Sequence, residues 1–99
     1  MSTYKRIAAV ETALRLLEFL AHQKTPVPGP AVAEALGIPY ATAMCHLVTL
    51  EDARFARKVG DGYELAMNAA LLWARKKSML HTDIERAERD LARLENGGE

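Results

Sequence analysis

Residues 32–65, VAEALGIPYATAMCHLVTLEDARFARKVGDGYEL, limit the possible fold more than any other part of the chain. Val32, Ala33 and Leu36 recur at helical spacing, and Gly37 follows them. A glycine there supplies the left-handed C-cap that ends a helix without a Cβ penalty. Ile38 plugs the turn, and Pro39 starts a further helix running to about Asp52. Extended runs at 55–59 and 63–66 then flank Gly60-Asp61-Gly62, a strong local hairpin signal. Helix, tight turn, helix and hairpin in this order predict a mainly α domain with a small β-hairpin, a winged helix-turn-helix.

The remaining sequence completes that domain and adds to it. Ile7, Val10, Leu14, Leu17 and Ala21 mark a first helix over 7–22, and Ala13, Leu16 and Leu20 widen its apolar stripe. A stripe so wide either lies wholly in the core or serves a second partner. TPVPGP at 25–30 breaks the chain, because proline fixes φ and removes a donor. Val27 is placed to pair with the later hairpin as a strand of one or two residues, and Pro30 to open the second helix at its first position. In the third helix Ala43, Leu47 and Leu50 form the inward row with His46 at its edge; Tyr40, Ala41, Met44, Cys45 and Val48 face outward without a single charge. Phe55 and either Tyr63 or Leu65 should point to the core, with Arg57 and Lys58 on the strand near the hairpin tip.

Past the hairpin, Asn68 is expected to cap a helix that continues through Leu71, Leu72 and Trp73. Leu80, Ile84, Ala87, Leu91 and Leu94 step by four, three, four and three, the spacing of a coiled-coil seam. Thr82-Asp83-Ile84-Glu85 also fits a capping box, so the pattern leaves open one long helix or two meeting near His81. The expected organisation is a three-helix core plus wing over residues 1–66, then a C-terminal helical extension over 67–99 that serves dimerisation.

Charge and composition narrow the function. The formal net charge is zero, which by itself counts against strong non-specific attraction to nucleic acid. The basic residues are clustered, however, as Arg54, Arg57, Lys58 and as Arg75, Lys76, Lys77, while residues 82–99 are predominantly acidic. A neutral total conceals a locally positive face. No apolar run approaches the ~18 residues of a membrane span, and no secretory leader is visible. The single cysteine, Cys45, excludes an internal disulfide and suits a reducing cytoplasm. Only His46 flanks it with potential positive charge, so it reads as a small apolar filler rather than a redox switch. His22, His46 and His81 lack metal-ligand spacing, and no phosphate loop or catalytic constellation is present. No enzyme activity, cofactor or metal is expected.

In residues 7–72 the chain resembles the N-terminal winged helix-turn-helix domain of IclR-type transcriptional regulators. The resemblance rests on VETALRLLEFLA, on Val32-Ala33, on Leu36-Gly37-Ile38-Pro39, and on Thr42, Leu47, Thr49 and Leu50 in register. Phe55, Arg57, Tyr63 and Leu65 continue it through the wing. Three departures from the family pattern involve four positions. Tyr40 and Ala41 stand where a basic and a small polar residue usually open the recognition helix, Cys45 replaces an arginine, and Arg54 occupies a position commonly glycine. The family's effector-binding domain has no counterpart here, so the resemblance carries no expectation of small-molecule sensing.

The resemblance implies a sequence-specific regulator that binds double-stranded DNA, and the short chain and the apolar seam of its last helix add the expectation of a small stand-alone homodimer. Tyr40 and Thr42 suit phosphates or base edges, and Ala41 and Met44 suit thymine methyls, with Cys45 on the same face. Arg57 and Lys58 would neutralise phosphates from the wing. The dimer would form through Leu80, Ile84, Ala87, Leu91 and Leu94, with no membrane involved. The competing expectation is a winged-helix protein-interaction module, in which the uncharged face of helix 39–52 docks a partner protein.

Overall fold

A computed structural model describes residues 3–97 as six segments of helix and strand around one small core, with a long helix after them. Helix α1 spans Ala8–Ala21, strand β1 Val27–Pro28, helix α2 Gly29–Leu36 and helix α3 Tyr40–Asp52. Strands β2 (Ala56–Val59) and β3 (Gly62–Leu65) form the hairpin, and helix α4 covers Met67–Glu95. The three strands make one antiparallel sheet in the order β1-β3-β2, with Val27 opposite Tyr63. The mainly helical winged helix-turn-helix read from the sequence is the fold observed.

The core is assembled from every element of the winged part. Leu16 and Leu20 of α1, Val32 and Leu36 of α2, and Leu47 of α3 meet Val27, Ala56 and Tyr63 of the sheet. Leu16, Val32 and Leu47 are fully buried, and each removes enough apolar surface to stabilise the domain by about 2 kcal/mol. The wide stripe of α1 is split. Its Leu16–Leu20 row is buried, whereas Ile7, Val10 and Leu14 are exposed, so the stripe is not all core.

The two helices of the motif turn by 112° across Gly37-Ile38-Pro39. Gly37 is left-handed at φ 66°, and the bonds Ile38 N–H to Ala33 O and Gly37 N–H to Glu34 O close a Schellman motif. Arg15 of α1 adds a guanidinium bond of 3.3 Å to the Leu36 carbonyl, tying the same helix end to α1. Pro30 is the second residue of α2 rather than the first, because Gly29 already has helical geometry; a proline in either place loses no helical hydrogen bond. The end of α3 repeats the cap of α2. Phe55 N–H bonds Leu50 O at 2.9 Å, Arg54 N–H bonds Glu51 O at 3.0 Å, and Arg54 is left-handed at φ 64°.

The hairpin departs from expectation in two details. Val59 pairs with Gly62, so Gly62 belongs to the strand and the loop is the two residues Gly60-Asp61, with the required positive φ at Gly60 (59°). Ala56, not Phe55, is the β2 residue in the core, and Phe55 is half-buried where the Schellman motif holds its N–H.

Contacts divide the chain into one compact unit up to Ala69 and a second from Ala70. Within the first, Asn68 is not a helix cap. Its side-chain amide donates to Ala53 O at 2.9 Å and its backbone N–H to Arg54 O at 3.1 Å, so it secures the chain that follows α3. Helix α4 runs unbroken for 29 residues and buries none of them. The capping box near His81 is unused: the Thr82 hydroxyl donates back to Ser78 O at 3.1 Å, as a mid-helix threonine does.

Candidate nucleic-acid interface

Helix α3 is held by Ala43 and Leu47 in the core and by Leu50 at its margin, and this fixes which side faces out. Tyr40, at 55 % exposure, leads that side, followed by exposed Ala41, Thr42 and Cys45 and by Val48 at 47 %. Pro39 precedes the helix without a side-chain cap, so the N–H groups of the first turn are left to outside acceptors. Oriented donors at a helix start suit a phosphate oxygen even where no basic side chain stands beside them. Negative charge appears only at the far end, in exposed Glu51 and Asp52.

Met44 is not part of the outward row. It is half-buried against the core, with its sulfur only 2.6 Å from where a Cβ on Gly29 would lie. The methionine fills the junction of α2 and α3 that the buried glycine opens, which explains why a residue four before Val48 does not share its face. The Thr49 hydroxyl is also engaged internally, donating to Cys45 O at 2.7 Å.

The wing separates its two cations. Neighbours along a strand project to opposite faces. Arg57 lies opposite Glu64, and Lys58 opposite Tyr63. Arg57 and Glu64 are joined, Nε to Oε2 at 3.0 Å, in a largely exposed ion pair. Lys58 is exposed on the other face. Glu64 was not singled out from the sequence, yet the hairpin register carried the signal: with a two-residue loop at 60–61, positions 57 and 64 must face each other. Arg54 is exposed at the left-handed corner before the wing.

On α4, Lys77 sits over the Trp73 ring at 5.1 Å, one helical turn away. Among the described residues no group of acidic, histidine or cysteine side chains could hold a metal ion, and no single helix is long and apolar enough to cross a membrane.

A three-helix core with a helix presented across a tight turn and a two-stranded wing defines the winged helix-turn-helix class. A family model described as the IclR helix-turn-helix domain matches residues 9–60. The chain belongs to that family. The crystal structure of an IclR transcriptional regulator from Alicyclobacillus acidocaldarius is similar to it, at 28 % identity and a TM-score of 0.68, over 73 % of this chain and 30 % of that one. A structure assigned to the ICLR transcriptional regulators, from Silicibacter sp. TM1040, shares the fold at 23 % identity and a TM-score of 0.65, over 74 % of this chain and 29 % of that one. The chain thus spans less than a third of the length of either. No curated protein matches it at a significant level.

Proposed function

We propose that this chain is a DNA-binding transcription regulator whose residues 1–66 read DNA and whose residues 67–99 join two copies. The observation that carries the reading is the exposed, uncharged outer side of α3 in an IclR-type helix-turn-helix. Tyr40, Ala41, Thr42 and Cys45 enter the major groove. There Tyr40 and Thr42 take phosphate or base-edge hydrogen bonds, and Ala41 meets thymine methyls. The uncapped start of α3 contributes backbone donors in place of the basic side chain that Tyr40 replaces. Lys58 is the principal phosphate-neutralising residue of the wing, because Arg57 is already paired with Glu64. The homodimer forms through the α4 seam of Leu80, Ile84, Ala87, Leu91 and Leu94, whose members stay exposed in the single chain, Ile84 at 53 %.

Genomic fragments selected on the purified protein and sequenced supply the operator. Binding to it should fall steeply between low and moderate salt, since each neutralised phosphate adds about 0.9 to the slope of log affinity on log salt. The absence of charge along the outer side of α3 before Glu51 also favours a second reading, a surface for a protein partner. Retention on DNA no better than an albumin control at low salt would select that reading and reject the regulator.

A further inference from the structure

Because α4 is unbroken, its seam can be followed past the apolar residues, and the charges beside it give the dimer an orientation. Resting on the reading that two copies join through α4, we propose that the two helices pair antiparallel. Counting back from Leu80 at heptad spacing, the seam continues through Lys77, Trp73 and Ala70. The charged positions bordering it are Lys76 in the first half and Asp83, Glu88, Asp90 and Glu95 in the second. Arg75, Arg86, Arg89 and Arg93 fall on the outer side and do not offset the acidic border across the seam.

A parallel, in-register pair sets each border residue against the one five positions on in the other helix. Asp83 would face the partner's Glu88 and Asp90 the partner's Glu95, and symmetry repeats both repulsions. An antiparallel pair with its two-fold axis near residue 82 sets Lys76 beside the partner's Asp90, twice. Only Asp83, meeting the partner's Asp83 at the axis, is placed against like charge. Sizes also match across the seam in this register. Leu80 packs on the partner's Ile84, and Ala70 receives the partner's Leu94. Trp73 meets the partner's Leu91, while Lys77, stacked on Trp73, lies opposite the small partner's Ala87.

The same register sets the distance between the points where α4 begins. Ala70 lies 12 residues from the axis, about 18 Å at 1.5 Å per residue, so the two copies of Ala70 stand about 36 Å apart along the pair. One turn of B-DNA separates successive half-sites by about 34–36 Å. Parallel helices would hold the same points only about 10 Å apart.

Two measurements on the full chain test this. With Cys45→Ala and a nitroxide on Arg93→Cys, antiparallel helices give a spin–spin distance of about 33 Å along the pair. A distance under about 20 Å in a chain that sediments as a dimer overturns the orientation alone. A monomer at micromolar concentration overturns the orientation together with the dimer it rests on. Independently, Asp90→Lys should weaken dimerisation about fivefold and Lys76→Glu/Asp90→Lys should restore it. Tighter dimerisation by Asp90→Lys is the parallel outcome, since the new lysine would then face the partner's Glu95.

Discussion

The winged unit and α4 draw on similar proportions of alanine, and α4 is the richer in charge, yet they use their apolar groups in opposite ways. In the first, each of six short elements contributes one or two side chains to a common core, and Leu16, Val32 and Leu47 are lost to solvent entirely. In the second, 29 residues of helix bury nothing, and Leu72, Trp73, Ile84 and Leu91 are all more than half exposed. A helix of that length gains most of its stability from packing an amphipathic face, not from propensity. One region therefore completes its hydrophobic surface within itself, and the other leaves its apolar side chains exposed in the single chain, the surface that the proposed dimer would cover.

The largest effect that separates the two is a matched pair of truncations. Leu16→Ala removes a fully buried side chain from the winged unit and should cost about 3 kcal/mol in urea unfolding. Leu91→Ala, read at concentrations low enough to keep the chain monomeric, should change unfolding by less than about 0.5 kcal/mol. At high concentration it should lower the apparent stability, because dimerisation adds to the folded state by mass action. An equal loss for both variants in dilute solution would show that Leu91 is covered by its own chain, and the contrast between the regions would disappear.

Next in size is a comparison of the two helix ends. Gly37 and Arg54 occupy the same left-handed position of the same Schellman motif, at φ 66° and 64°. Glycine is at ease there and arginine is strained by its Cβ. Gly37→Ala should destabilise the domain by about 1 kcal/mol, and Arg54→Gly should stabilise it by a similar amount, both seen as shifts of the urea midpoint with unchanged slope. A destabilising Arg54→Gly would mean that the arginine side chain contributes more than its backbone costs. If DNA affinity falls as stability rises, the strained arginine is kept for its charge beside the wing.

The sequence made the fold legible because its punctuation is local. Gly37 with Ile38 and Pro39, the prolines at 26–30 and the glycine at 60 each dictate backbone conformation without help from distant residues. The inward rows of α2 and α3 followed from periodicity for the same reason. What sequence reasoning misplaced depended on contacts made across the fold. Met44 lies on the outer arc of an isolated helix, and only the gap above Gly29 draws it inward. Asn68 resembles a cap until the carbonyls of Ala53 and Arg54 are brought within 2.9 and 3.1 Å of its amide groups. The continuity of α4 was undecided because Thr82 satisfies both a capping and an interior pattern, and its hydroxyl takes the interior one. In the candidate interface, the outward side of α3 was legible except at Met44, whereas the neutralisation of Arg57 required the strand register.

The smallest expected effects lie on the wing, where Lys58 and Arg57 are adjacent in sequence but differ in availability. Lys58→Ala removes an unpaired exposed cation and should reduce the slope of log affinity against log salt by about one. Arg57→Ala alone is ambiguous, because it also releases Glu64 to repel the phosphates. The informative variant is Arg57→Ala/Glu64→Ala, which deletes a neutral pair and leaves the local charge as it was. If the pair persists on DNA, the double variant keeps the parental slope. Its stability should fall by no more than about 1 kcal/mol, since an exposed ion pair contributes little. A drop of about one in the double variant, equal to that of Lys58→Ala, would show that Arg57 exchanges Glu64 for a phosphate on binding. The wing would then present both cations, and the separation of Arg57 from Lys58 would be a property of the free protein alone.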